Sequence, residues 1–483
     1  MGNSESSSLD VAWRSKFSTE EQTFLSVIFD SISGSDTAEE TKDGKAPQKQ
    51  FTLAMLKAYV HTAAGGSMVI RFYNGMRSIP IKKSSVADSI SKKQFLSFLY
   101  YTMRGSAEER SSIIHRMISV DPDGPVTRRQ VKEFIEDMIV SVIHLLQHEK
   151  MLKGWNVEKT GDYNLGITRL TAYLMSELKA EGEDLSAEKL HAVEFGQSEL
   201  KDWVYRVSHI PNFLHALIAL ALHLTKPQYH GEFFSATQVL PQCLGIKYTG
   251  VFTVLDIPSV IYLKSNLPSE NQSQWKLLFS SQAHGESFSR FSVQILHKGP
   301  TLLIVKDSFG YIFGGFASCS WELKPQFQGD SKCFLFTLSP HLGTFNSTGY
   351  NDHFMYLNHG QQTMPNGLGM GGQHSYFGLW IDSNYGQGHS KAKPRCTTYS
   401  SPQLSAKEHF TVDTLEVWMV GNPPKNDLDC LGPQIVVREE VWYLQLQDCD
   451  WWGRMSGRGN HRGSGAFMMF LQTLSPMDAE KTS

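Results

Sequence analysis

A chain of 483 residues, 41% hydrophobic and 19% charged, is long enough for more than one domain and too apolar to remain disordered. Its formal charge of −3 gives no electrostatic reason to expect nucleic-acid binding. The six cysteines (Cys243, Cys319, Cys333, Cys396, Cys430, Cys449) form no CxxC pair and no ligand spacing around a histidine, which argues against a zinc site or a disulfide framework and for reduced intracellular thiols.

The first ten residues, MGNSESSSLD, lack the basic flank and apolar core of a secretory signal. Gly2 followed by Ser6 fits the M-G-x-x-x-[ST] pattern for N-myristoylation, and residues 1–17 read as a lipidation segment. The pattern is loose, and by itself it is equally compatible with an unmodified Gly2. One myristoyl chain gives only marginal, reversible membrane binding, so stable residence needs a second contact.

Helical patterns begin at Ser18 and define a first region, 18–150. Ser18 and Glu21 have capping-box spacing ahead of an apolar stripe of Phe24, Leu25, Ile28, Phe29 and Ile32. The polar stretch 34–50 reads as a loop. Periodicity resumes over 53–60 and at Phe95, Leu96, Phe98 and Leu99. It is strongest over 131–146, where Val131, Phe134, Ile135, Met138, Ile139 and Val142 help form a wide core-facing stripe.

The loop before that last helix, SVDPDGPVTRRQ, resembles the twelve-residue calcium loop of an EF-hand. Helices are expected to flank it, from Ala107 to Ile118 and from Arg128 onward. Ser119, Asp121, Asp123, Pro125 and Gln130 fall at ligand positions, with Gly124 at the sixth place, where the chain must turn sharply. The first position lacks its aspartate, and Gln130 cannot supply the bidentate carboxylate of the twelfth. The expectation is an EF-hand-like shape with weak calcium binding at most, and no need of calcium for folding.

Residues 151–234 form a second helical block. Leu170, Tyr173, Leu174 and Leu178 share one face, Ser186 starts a further helix, and Trp203, Val204 and Val207 continue the pattern. Pro211 punctuates the chain before an apolar helix over 213–224, whose length falls in the roughly 10–14 residue range of a buried helix rather than a membrane span. His209, His215 and His223 read as structural, because no carboxylate or thiolate cluster accompanies them.

Beyond residue 235 the pattern changes. Apolar runs at 276–280, 301–306, 311–317, 333–338 and 376–381 alternate with Gly, Ser, Pro and Asp clusters, as strands of a sheet pair around one core do. Phe288, Phe291 and Ile295 recur at helical spacing. NGLGMGGQ (366–373) has the glycine content of a phosphate loop but leads into an aromatic strand, so tight backbone turning is its better explanation. Ser280, Ser281, His284 and Glu286 contain the residue types of a hydrolytic site without a nucleophile elbow around either serine.

The stretches WKLLFSSQAHGESFSRF, GPTLLIVKDSFGYIFGGFASCSW, CFLFTLSP, GLGMGGQHSYFGLWID and CTTYSSPQLSAKEHFTVDTLEVWMV resemble the TLDc domain family, which includes the oxidation-resistance proteins. The resemblance covers 235–422 and extends to a myristoylated member whose N-terminus and helical half match too, which makes lipidation of Gly2 the expectation. Residues 423–483 depart from the helical tail the resemblance implies. Gly- and Arg-rich over 453–465, they read as an irregular and alternative C-terminus.

The resulting fold class is α+β: an N-terminal helical region with an EF-hand-like unit, then a TLDc two-sheet β-sandwich with helices. The resemblance implies a non-catalytic regulator at the cytosolic face of the lysosomal membrane, held there by its myristoyl group. It further implies association with the vacuolar-type proton ATPase and support of mTOR signalling components. The alternatives are an enzyme with an oxidation-resistance role and a calcium-modulated membrane adaptor.

Overall fold

The computed structural model describes residues 16–34, 49–61, 65–80, 88–119, 121, 124–155, 163–179, 193–225, 238–245, 251–422, 435–438 and 441–444. The chain divides into two compact units, Met1–Pro423 and Pro424–Ser483. The second contains a hairpin of β17 (Ile435–Arg438) and β18 (Val441–Leu444), numbered after the strands below.

The helical half is a series of capped helices. Helix α1 (Thr19–Ser33) starts at the capping box expected from Ser18 and Glu21: the Ser18 hydroxyl accepts the Glu21 N–H at 3.2 Å, and the Glu21 carboxylate accepts the Ser18 N–H at 2.7 Å. There follow α2 (Leu53–Val60), α3 (Gly66–Arg77), α4 (Lys92–Met103), α5 (Ala107–Ile118), α6 (Arg128–His148), α7 (Tyr163–Ser176), α8 (Gln197–Arg206) and α9 (His209–Ala221). Two-residue strands stand just ahead of four of them: β1 (Gln50–Phe51) before α2, β2 (Ile90–Ser91) before α4, β3 (Val126–Thr127) before α6 and β4 (Glu194–Phe195) before α8. β1 pairs antiparallel with β2, and β3 with β4, so helix–strand–helix units are tied together two by two.

One expectation changes here. Pro211 does not precede the apolar helix but stands in the first turn of α9, where its missing N–H breaks no intrahelical bond. The helix expected at Ser186 lies outside the described residues. No described helix is long and apolar enough to cross a membrane.

The C-terminal half is a sheet system. β5 (Gln242–Cys243) pairs in parallel with β6 (Gln274–Ser280). β7 (Thr301–Asp307), β8 (Ile312–Ala317), β9 (Lys324–Gln328), β10 (Phe334–Ser339), β11 (Gly343–Asn346), β12 (Met355–Asn358), β13 (Gly367–Gln373), β14 (Tyr376–Asp382), β15 (Gln387–His389) and β16 (His409–Val420) complete it. The hydrogen-bonded order is β11-β10-β8-β7-β16-β15-β14-β13-β12-β9, with β6 on the other side of β16. β16 is the hinge of this arrangement. Its start pairs with β15, and its later residues run between β7 and β6.

Side-chain alternation then sorts the layers. Leu303, Val305, Leu335, Leu415, Val417 and Met419 meet Leu357, Leu368, Met370, Leu379 and Ile381 in one core, which is the inside of a sandwich. The opposite side of the first sheet, with Leu302, Ile304, Phe336, Trp418 and Val420, belongs to the same apolar cluster as the helical half. Trp155 joins the two halves: it lies 5.2 Å from Trp418 and 5.7 Å from Trp275, and its indole N–H donates to the Pro241 carbonyl at 3.2 Å. Burying each large apolar side chain there contributes on the order of 1.5–3 kcal/mol. Helices α10 (Ile257–Asn266), α11 (Ser281–His284) and α12 (Phe288–Ile295) accompany the sheets.

The glycine run 367–373 is itself strand β13, not a turn leading into one. Gly371 and Gly372 take left-handed φ values of 72° and 85°, the tight backbone turning expected of the run, while Gly369 makes room for rings: a Cβ there would lie 2.5 Å from Phe377 Cδ1 and 3.0 Å from Trp380 Cε3.

Candidate functional site

Gly2 and Asp123 lie outside the described residues. Around the remaining loop positions, α5 and α6 begin and end the loop at Ile118 and Arg128, the bounds expected from the sequence. The Ser119 hydroxyl accepts the Asp121 N–H at 3.1 Å. Gln130 turns back to its own helix start, where Oε1 accepts the Thr127 N–H at 2.8 Å and the Thr127 hydroxyl at 2.9 Å. The twelfth loop position therefore works as a helix cap, and its oxygen is already engaged.

A residue not foreseen in the sequence completes this loop. His115, 1% exposed, donates from Nε2 to the Gly124 carbonyl at 2.8 Å. Gly124 is packed so closely that a Cβ would lie 2.5 Å from the Asp121 carboxylate. Pro125 follows directly and leads into β3. Among the described residues no group of three or more His, Cys, Asp or Glu side chains is placed to hold a metal ion.

The serine–histidine grouping of the sandwich is not arranged as a relay. His284 Nδ1 receives the backbone N–H of Ser280 at 3.0 Å, not its hydroxyl. The Ser281 hydroxyl accepts the Leu415 N–H at 3.2 Å, and the His284 ring stacks on Phe279 at 5.5 Å. A triad needs the ring nitrogen on the nucleophile's hydroxyl, and here these groups serve the backbone.

The thiols point the same way. Burial pushes up Cys243, Cys333 and Cys396, and it pushes Cys319 to about 11 with further help from Cys333 and nearby acids. A reactive cysteine requires the opposite shift. Cys430 and Cys449 lie outside the described residues.

One buried carboxylate stands out. Glu416 on β16 is 1% exposed; Oε1 accepts the Val254 N–H at 3.0 Å, and Oε2 accepts the Thr253 hydroxyl at 2.7 Å and the Trp418 indole N–H at 3.0 Å. Burial pushes its carboxyl pKa up, while these three donors pull against that. All three partners are structural, so the arrangement anchors the segment before α10 to the sheet. The sandwich also carries exposed rings on its connections, Phe309 at 46% and Tyr350 at 78%, where a rigid scaffold presents contact residues.

Residues 252–421 match the TLDc domain family. Over 432 residues the chain is 51% identical to the MTOR-associated protein MEAK7 of Gallus gallus, covering 88% of this chain and 91% of that one. The human protein of the same name is 41% identical over 431 residues, covering 89% and 92%. Human nuclear receptor coactivator 7 is 34% identical over 160 residues, 32% of this chain and 16% of its own length.

Proposed function

The chain belongs to the family of MTOR-associated MEAK7 proteins with a TLDc domain, and on that premise we propose a non-catalytic regulator at the cytosolic face of the lysosome. In this reading myristate on Gly2 supplies a reversible membrane contact, and the TLDc sandwich supplies the second by associating with the vacuolar-type proton ATPase. Together they position the chain to support mTOR signalling. The observation that carries the proposal is the extent of the similarity: it runs through the helical half as well as the TLDc domain, to proteins named for mTOR association.

The chemistry of the described residues supports a docking role over turnover. The thiols are pushed away from reactivity, and the Ser280–His284 contact goes to the backbone. Function on such a scaffold falls to its surface connections. Affinity purification from lysosome-enriched membranes, comparing the native chain with Gly2→Ala, tests the proposal. Proton-ATPase subunits should accompany the native chain and be depleted with the variant. Native chain spread through the soluble fraction without them contradicts it.

A further inference from the structure

Three sulfur atoms converge at one end of the sandwich. Cys319 stands two residues past β8, Cys333 one residue before β10, and Met355 opens β12 in the facing sheet. Cys333 and Met355 are buried in the inner core, and Cys319, half-buried, packs against it. The Cys319 thiol meets the Met355 thioether at 3.9 Å. A Cβ on Gly329 would lie 2.8 Å from Met355 Sδ and 3.2 Å from Cys333 Sγ, so these two sulfurs border one point. The two thiols are near enough for a charge on Cys333 to oppose ionisation of Cys319.

Sulfur side chains pack well as apolar groups, but packing does not account for the donors around Cys333. Its Sγ accepts the Ser318 N–H at 3.3 Å, and the Ser318 hydroxyl lies 3.1 Å away. Outer donors of this kind hold a metal-bound thiolate in place. A metal at roughly 2.3 Å from each of three sulfurs in a plane keeps them about 4 Å apart, a spacing that the Cys319–Met355 pair already meets. No preformed cavity is needed, because the ion sits within the contact distance of its ligands. Cys319 faces the route from solvent, and the unbranched Met355 side chain can adjust to close the third contact.

We propose that Cys319, Cys333 and Met355 form a three-sulfur binding site for monovalent copper. Soft thiolate and thioether ligands select this ion. Zinc takes four ligands from Cys, His, Asp and Glu, and among the described residues no third side chain of those types is placed with the two thiols. On binding, each sulfur supplies an electron pair, both thiol protons leave to solvent, and copper keeps its oxidation state. Burial opposes each free thiolate, and the charge of the ion reverses that penalty. Because the ligands come from both sheets, a bound ion ties the two together at this end.

The test uses the full chain, reduced and anaerobic, with Cys430→Ser and Cys449→Ser to remove two unrelated thiols. It is titrated with Cu(I) in competition with the chelator bicinchoninate. One chelator-resistant equivalent is expected, with only sulfur in its X-ray absorption ligand shell, and it should raise the melting temperature. Cys319→Ser should abolish that equivalent. Met355→Leu, which keeps the buried volume, should weaken it about tenfold or more. Melting of both variants without copper separates a lost ligand from a lost fold. Absence of chelator-resistant uptake by the parent chain overturns the proposal, as do nitrogen or oxygen ligands in its absorption shell. So does uptake by Cys319→Ser or Met355→Leu equal to that of the parent.

Discussion

Glu416 and His389 show how single side chains set the stability of the sandwich. Glu416 accepts three hydrogen bonds with two oxygens. In Glu416→Gln, either orientation of the amide sets an NH₂ group against an N–H donor, from Val254 or from Trp418. The variant should therefore lose about 1–3 kcal/mol in denaturant unfolding, with its fold retained. His389 stacks on Trp380 at 5.9 Å with Nε2 buried and unpartnered, and burial pushes its pKa from 6.5 to about 4. A depressed histidine contributes stability that is fully present above its unfolded value and is lost as pH falls toward the folded one. Between pH 6.5 and about 4, the native chain should lose more stability than His389→Phe. Parallel curves for the two proteins would refute that assignment. Neither residue was legible in the sequence, where a lone Glu or a lone His in a strand looks alike whether buried or solvated.

At the level of elements, the sequence was most informative where side-chain period and local capping decide the structure. Ser18 and Glu21 marked the start of α1, and the apolar stripe around Phe134 and Met138 marked α6. The paired strands β1 to β4 escaped notice because two residues carry no period. The signal present was the spacing Ser91-x-x-Gln94, repeated in Thr127-x-x-Gln130, which caps both α4 and α6. Because Gln130 is engaged in that cap, calcium should leave the melting temperature of the full chain unchanged. A large calcium-dependent rise that disappears in Asp121→Ala would contradict this.

Strand β13 was legible in part: Gly371 and Gly372 take the positive φ that glycine content suggested, whereas Gly369 accommodates rings packed against a strand. The same logic separates two substitutions. A Cβ on Gly314 would lie 1.9 Å from the Leu303 carbonyl oxygen, a backbone atom of the adjoining strand, whereas on Gly369 it meets ring atoms that can shift. Gly314→Ala should therefore be the more destabilising in chemical denaturation, with Gly369→Ala costing about 1–3 kcal/mol. The reverse order would show that the β7–β8 backbones yield more easily than the rings.

For the molecule as a whole, composition and resemblance indicated α+β architecture, while two features needed the three-dimensional fold. One is β16, a single apolar run in sequence that serves both sheets of the sandwich. The other is the continuity of the core: Trp155 from the helical half lies against Trp418 and Trp275, and Arg169 of α7 pairs with Asp256, the cap of α10, at 2.6 Å. Sequence patterns describe each half separately and cannot show which faces meet. The shared core explains why the helical half accompanies the TLDc domain along nearly the full length of the relatives. It also makes the whole chain, not an excised sandwich, the proper material for binding studies.

A docking role for this scaffold is tested most directly by the equilibrium binding of the purified, myristoylated full chain to purified vacuolar-type proton ATPase. Saturable association that survives without added substrate or calcium is expected. Absence of association at concentrations where the lipidated chain is folded and soluble would contradict it.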